Sequence, residues 1–99
     1  MDINTELDGK VLTIYLGGRL DTITAPELEN AIQPIKDGEI EKLIIDMDNL
    51  EYVSSAGLRV LLSAQKTMNR YGSMVIRNVC PDVREVFEIT GFLDIFTIE

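Results

Sequence analysis

Hydrophobic and polar positions change their period several times along the chain, and each change marks an element. Met1 to Leu7 is a short mixed segment, followed by Asp8-Gly9, a hairpin turn signal. From Val11 to Leu16 the residues are β-branched, aromatic or aliphatic, with Leu12, Ile14 and Leu16 on one face at period two. The pattern predicts strand, turn, strand, with Gly17-Gly18 ending or bending the second strand. The period then becomes helical, with apolar Leu28, Ala31, Ile32 and Ile35. Ahead of them, Thr24-Ala25-Pro26-Glu27 has the form of a capping box. In it Thr24 accepts from the amide of Glu27, Glu27 reaches back to Thr24, and Pro26 sits in the first turn, where a missing N–H costs nothing. Pro34 predicts a kink or an early end, and Asp37-Gly38 closes the element.

Leu43 to Met47 is a short apolar run, the pattern of a strand buried on both faces. Asp48 to Ser55 reads as a connection. From Ala56 to about Arg70 the helical period returns, with Leu58, Leu61, Leu62, Gln65 and Met68 on one stripe and Tyr71-Gly72 as the stop. Met74 to Ile76 predicts another buried strand. Pro81 opens a third helix whose inward stripe is Val83, Val86, Phe87 and Thr90, and Gly91 ends it. Phe92 to Ile98 predicts a last strand. The order β-β-α-β-α-β-α-β is an α/β fold. Single strands separated by helices imply right-handed crossovers and parallel pairing after the hairpin. The expectation is a mixed sheet of about five strands, with about three helices packed on it.

The chain has 99 residues and no internal repeat or linker, so residues 1–99 form one domain. No apolar run approaches the roughly 20 residues that span a bilayer. The start, Met1-Asp2-Ile3-Asn4, lacks the basic and apolar regions of a secretion signal. One cysteine, Cys80, cannot form an internal disulfide. Together these point to a chain complete in itself, in the reducing cytoplasm, with no membrane insertion. Net charge is −8, which excludes nucleic acid as the natural partner because that binding rests on Lys and Arg. The acidity serves solubility or complements a basic patch on a protein.

Candidate chemistry is sparse. With no histidine, the commonest general base and metal ligand is missing, and Cys80 has nothing to activate it. Asp46 and Asp48 are too few for a hard cation, which wants several oxygen ligands. Gly17-Gly18 lacks the spacing and the following lysine of a phosphate loop. No metal, no cofactor and no catalytic residue is expected, and the chain does not read as an enzyme. The segment suited to chemistry is Val53-Ser54-Ser55-Ala56-Gly57-Leu58, which opens a helix just after a strand, where free amides and the helix dipole favour a phosphate. Serine is also a preferred N-cap, so the residues alone leave capping and phosphoacceptance both open, and the two are compatible.

Leu43 to Asp46 through Val53 to Leu58, followed by Val60-Leu61-Leu62, resembles the signature of STAS domains, named for sulphate transporters and anti-sigma-factor antagonists. Gly17-Gly18-Arg19-Leu20-Asp21 with Thr24-Ala25-Pro26-Glu27-Leu28 is similar to the stretch before the family's first helix, and Ile89-Thr90-Gly91-Phe92 to its ending. The resemblance implies a bacterial regulator whose unphosphorylated form binds an anti-sigma factor that is itself a serine kinase, freeing the sigma factor. The kinase then phosphorylates the antagonist and dissociates, and a serine phosphatase resets it. The family's phosphoacceptor position falls on Ser55. Two departures stand beside it: Ser54 replaces the usual Asp and becomes a rival acceptor, and Ala56 replaces a frequent Ser or Thr. Partner contact is expected from Asp21, Thr22, Ser54, Ser55, Ala56, Gly57 and Leu58, although Asp21 equally suits a turn. Two other functions remain open on the same fold: a non-phosphorylated scaffold subunit of a transporter or stress-signalling complex, and a sensor of a small molecule or nucleotide.

Overall fold

The computed structural model describes residues 1–99. Strands β1 (Asp2–Asp8) and β2 (Val11–Leu20) form the antiparallel hairpin. Its turn falls one residue later than the Asp8-Gly9 signal: Asp8 pairs with Val11, and Gly9 and Lys10 make the loop. Gly9 has φ 61°, which a glycine at the first loop position supplies without strain. At Gly17-Gly18 the strand bends instead of ending. Its pairing with β3 (Lys42–Val53) shifts register between Tyr15 and Gly17 and again between Gly18 and Arg19, then runs on to Leu20 and Val53.

That pairing corrects the reading of Asp48 to Ser55 as a connection. Parallel backbone bonds to β2 carry β3 through Asn49, Leu50, Tyr52 and Val53, so only Ser54 separates β3 from helix α2 (Ser55–Tyr71). β4 (Ser73–Arg77) then pairs parallel to β3, giving the order β1-β2-β3-β4. The mixed sheet thus has four full strands. The expected fifth, Phe92 to Ile98, instead opens with a 3-10 turn at Phe92–Asp94 and reaches the sheet in one bridge, Ile98 with Ile76. Aromatic packing curls it: Phe92 stacks on Phe96 at 5.4 Å between centroids, and Phe96 meets Phe87 edge-on at 5.5 Å.

Helix α1 (Ala25–Ala31) ends before Pro34, as that residue requires, and a 3-10 turn over Gln33–Asp37 keeps Ile35 in the core. Helix α3 (Pro81–Thr90) follows β4 and buries Val83 and Phe87, while Thr90 is exposed. These residues join Leu28 of α1, Leu61 and Met68 of α2 and the inward strand residues Leu12, Ile14, Leu43, Ile45, Met74 and Ile76 in a single apolar cluster. All three helices therefore lie on one face of the sheet. The opposite face carries Tyr15, Ile44, Asp46, Val75 and Arg77. No helix covers Ile44, yet it is buried as expected, with its strand neighbours Thr13 and Val75 on either side of it. No helix is long and apolar enough to cross a membrane.

Candidate functional site at the β2–α1 and β3–α2 junctions

β2 and β3 end level with one another. Leu20 pairs with Val53, and the Ser54 amide donates to the Leu20 carbonyl at 2.8 Å. The loop after β2 and the first turn of α2 consequently lie side by side at the carboxyl ends of two parallel strands, where α/β sheets place their sites.

The two serines at this corner have different backbone roles. Ser54 is extended, with φ −97° and ψ 174°, and its hydroxyl oxygen accepts from the Gly57 amide at 3.3 Å. Its carbonyl accepts from the Leu58 amide at 2.9 Å. Ser54 is the N-cap, half-buried. Ser55 is the first helical residue; its side chain is exposed and makes no hydrogen bond within the chain. Around it stand the first-turn amides, which have no intrahelical acceptor.

In the neighbouring loop the capping box expected at Thr24 and Glu27 does not form. Thr24 already has helical φ and ψ, and no side-chain cap bond is made there. The Glu27 amide bonds to the Thr24 backbone carbonyl at 2.9 Å instead. The Thr24 hydroxyl accepts from the Asp21 amide at 2.9 Å and donates to the Arg19 carbonyl at 2.8 Å. With only one proton to give, it serves the shorter Arg19 contact ahead of Asp21 Oδ1 at 3.2 Å. Asp21 takes over the capping one turn earlier. Its Oδ1 accepts from the amides of Ile23 at 3.0 Å and Thr24 at 3.1 Å, and its carbonyl accepts from the Ala25 amide at 2.8 Å. The Thr24 amide, with support from the Ile23 amide and Arg19, holds the Asp21 carboxyl below its ordinary range against a smaller opposing effect of desolvation. Arg19 lies 3.8 Å from Asp21 Oδ2 and stacks over the Tyr52 ring at 4.1 Å.

The predicted site residues thus come together, with unequal exposure. Thr22 and Ser55 are exposed, and Asp21, Ser54 and Ala56 are half-buried. Leu58 is only 4% exposed and belongs to the core, so its side chain offers a partner nothing. Gly57 is buried against Leu20 and acts by letting the helix approach the sheet. Two residues at the corner escaped the sequence reading. Ile23 is 86% exposed, held outward by the Asp21 turn. Arg59 lines a groove of about 360 Å³ between α1 and α2, whose walls include Thr22, Ala56, Glu29 and Lys36. The signal for Arg59 was available: it stands four residues after Ser55 on one helix.

Elsewhere, the Asp46 carboxylate is engaged within the fold, while the Asp48 carboxylate makes no hydrogen bond. Asp46 Oδ1 accepts from the Asp48 amide at 3.0 Å and Oδ2 from Asn78 Nδ2 at 3.1 Å. No group of three or more His, Cys, Asp or Glu residues gathers to hold a metal. Cys80 is half-buried ahead of α3, with its sulfur 3.5 Å from the Leu50 carbonyl oxygen.

Comparison with known proteins agrees with the motifs. The family model described as STAS domain matches residues 2–99. A Bordetella bronchiseptica protein, BtrV, named as a candidate anti-sigma factor antagonist, is 38% identical over 94 residues, which is 94% of this chain and 80% of that protein. The anti-sigma-B factor antagonist of Staphylococcus aureus (strain NCTC 8325) is 28% identical over 99 residues, covering 99% of this chain and 92% of its own. Among solved structures, an anti-sigma factor antagonist from Mycobacterium paratuberculosis superposes with a TM-score of 0.86 at 25% identity, covering 98% of this chain and 83% of that one.

Proposed function

From the premise that the chain belongs to the STAS domain family, we propose that it is an anti-sigma-factor antagonist switched by phosphorylation at Ser55. Its unphosphorylated form binds an anti-sigma factor with serine kinase activity and so frees a sigma factor. The contact surface is the corner formed by Asp21, Thr22, Ser54, Ser55 and Ala56, with Gly57 and Leu58 seating the helix beneath it. Phosphorylation by that kinase releases the antagonist, and a serine phosphatase restores it.

The division of labour between the serines carries this reading. Ser54 is occupied as the cap, which leaves Ser55 exposed and unbonded beside the Asp21 turn. A phosphate there adds about −1.5 to −2 charge at pH 7. The helix start tolerates that charge, since its amides and dipole favour an anion, so the helix does not melt and the effect falls on the interface. Like charges brought together at an interface cost several kcal/mol, and about 3 kcal/mol is already a hundredfold in affinity.

The test is incubation with ATP and an anti-sigma-factor kinase that binds the chain, followed by mass spectrometry of the phosphorylated site. Phosphate on Ser55, absent from Ser55→Ala, supports the assignment. Equal incorporation into Ser55→Ala, or none into the native chain, overturns it.

A further inference from the structure

Resting on the reading of Ser55 as the phosphoacceptor, we infer that Arg59 is the internal counter-charge of the switch: a phosphate on Ser55 captures its guanidinium and withdraws it from the groove between α1 and α2. Four observations lead there. Ser55 and Arg59 are the first and fifth residues of α2, an i, i+4 pair whose Cβ atoms stand about 5–6 Å apart on one helix face. The anion precedes the cation, which is the favourable order for such a pair. Long side chains in a helix favour rotamers that lean back toward its N-terminus, so Ser55 lies within reach of the Arg59 guanidinium. Finally, Arg59 is exposed and uncommitted. The ion pairs of the molecule are Lys10–Glu41, Arg19–Asp21 and Arg77–Glu99, and Arg59 makes no side-chain hydrogen bond.

Arg19, the other cation at the corner, is already held between Asp21 and the Tyr52 ring. Arg59 lines the groove, where Glu29 of α1 and Lys36 of the following 3-10 turn are the other charged groups. A guanidinium can give a phosphate two parallel hydrogen bonds, and the charge of about −1.5 to −2 on that phosphate outweighs the single charge of the Glu29 carboxylate in the open groove. Phosphorylation therefore changes the corner twice. It places a dianion at Ser55, and it removes a positive group from the groove rim that the unmodified chain shows to a partner.

The experiment places phosphoserine at position 55 by encoded synthesis, so that it needs no kinase. The pH midpoint of the phosphate's second ionisation is then followed by ³¹P NMR. Arg59→Gln is expected to raise that midpoint by about 0.3 unit or more, Arg59→Lys to raise it less, and Arg19→Gln to leave it unchanged. Amide spectra of the same samples establish that each variant is folded. An identical midpoint in Arg59→Gln and the native background overturns the pairing, as does a shift matched by Arg19→Gln. Failure of the phosphoacceptor reading itself would show only in the kinase assay, where Ser55 would stay unmodified.

Discussion

Gly57 lies so close to Leu20 that a methyl group on its Cα would stand 2.6 Å from Leu20 Cγ and 2.9 Å from Cδ2. Val53 Cγ2, at 3.1 Å, closes the other side. Leu20 is wholly buried at the end of β2 and has nowhere to swing. This close approach seats the first turn of α2 on the ends of β2 and β3, and so sets Ser55 beside the Asp21 loop.

Gly57→Ala is accordingly expected to destabilise the chain by about 1–3 kcal/mol, the usual cost of overpacking. For a domain of this size each kcal/mol lowers Tm by about 4–8 °C. Leu20→Ala costs about 2–5 kcal/mol alone, but the space it opens accepts the new methyl group. Urea melts should show the double variant losing less than the sum of the single losses. Strict additivity would mean that the two side chains do not compete for the same space.

The serines should separate by what each loses. Ser54→Ala removes a cap, but its 3.3 Å bond is long, so a cost near 0.5–1 kcal/mol is expected, with phosphorylation of Ser55 retained. Ser55→Ala should change stability by no more than about 0.5 kcal/mol while abolishing phosphate uptake. Thermal melts and intact-mass spectra of both variants check this. The reverse pattern would move the acceptor to Ser54.

At the interface, Ser55→Asp and Ser55→Glu should weaken binding to the anti-sigma factor by about tenfold or more, through added negative charge at the contact. Ser55→Ala should bind as the native chain does, yet stay bound when ATP is supplied. Calorimetric titration followed by an ATP-release assay measures both. Unchanged affinity in the acidic variants would place the contact surface elsewhere.

Asp21 should make stability depend on pH in a definite direction. Its folded carboxyl ionises below the ordinary carboxylate value, so the fold favours the charged form. The stabilisation is complete above the unfolded value of about 3.9 and is lost as pH falls through the lowered folded value. Asp21→Asn keeps an acceptor oxygen but no charge. Urea unfolding from pH 7 downward should therefore find the native chain more stable near neutrality, with the difference closing only in acid. A difference that persists unchanged in acid would show that charge is not its source.

Much of this architecture was legible because it rests on local regularities. The period-two faces of Leu12, Ile14 and Leu16, the helical stripe through Leu58, Leu61 and Met68, and the stops at Pro34, Gly72 and Gly91 are short-range constraints that neighbouring residues impose on each other. The family motifs were legible for the same reason, being contiguous runs. What failed depended on distant partners. Asp48 to Val53 is strand because β2 lies beside it, although its side chains do not alternate. The capping box dissolved because the Arg19 carbonyl and the Asp21 amide engaged Thr24 first. Phe92 to Ile98 lost its strand to the packing of Phe92, Phe96 and Phe87.

The serine corner shows both halves at once. By itself the sequence determined that two serines open a helix after a buried strand, and that their segment belongs with an upstream Asp21 stretch. Which serine caps and which faces solvent depended on the extended backbone at Ser54, itself tied to Leu20 by a 2.8 Å bond across the sheet. A sequence records which groups are present and how they are spaced. Only tertiary contacts decide which of two equivalent hydroxyls is spent on the fold and which remains free.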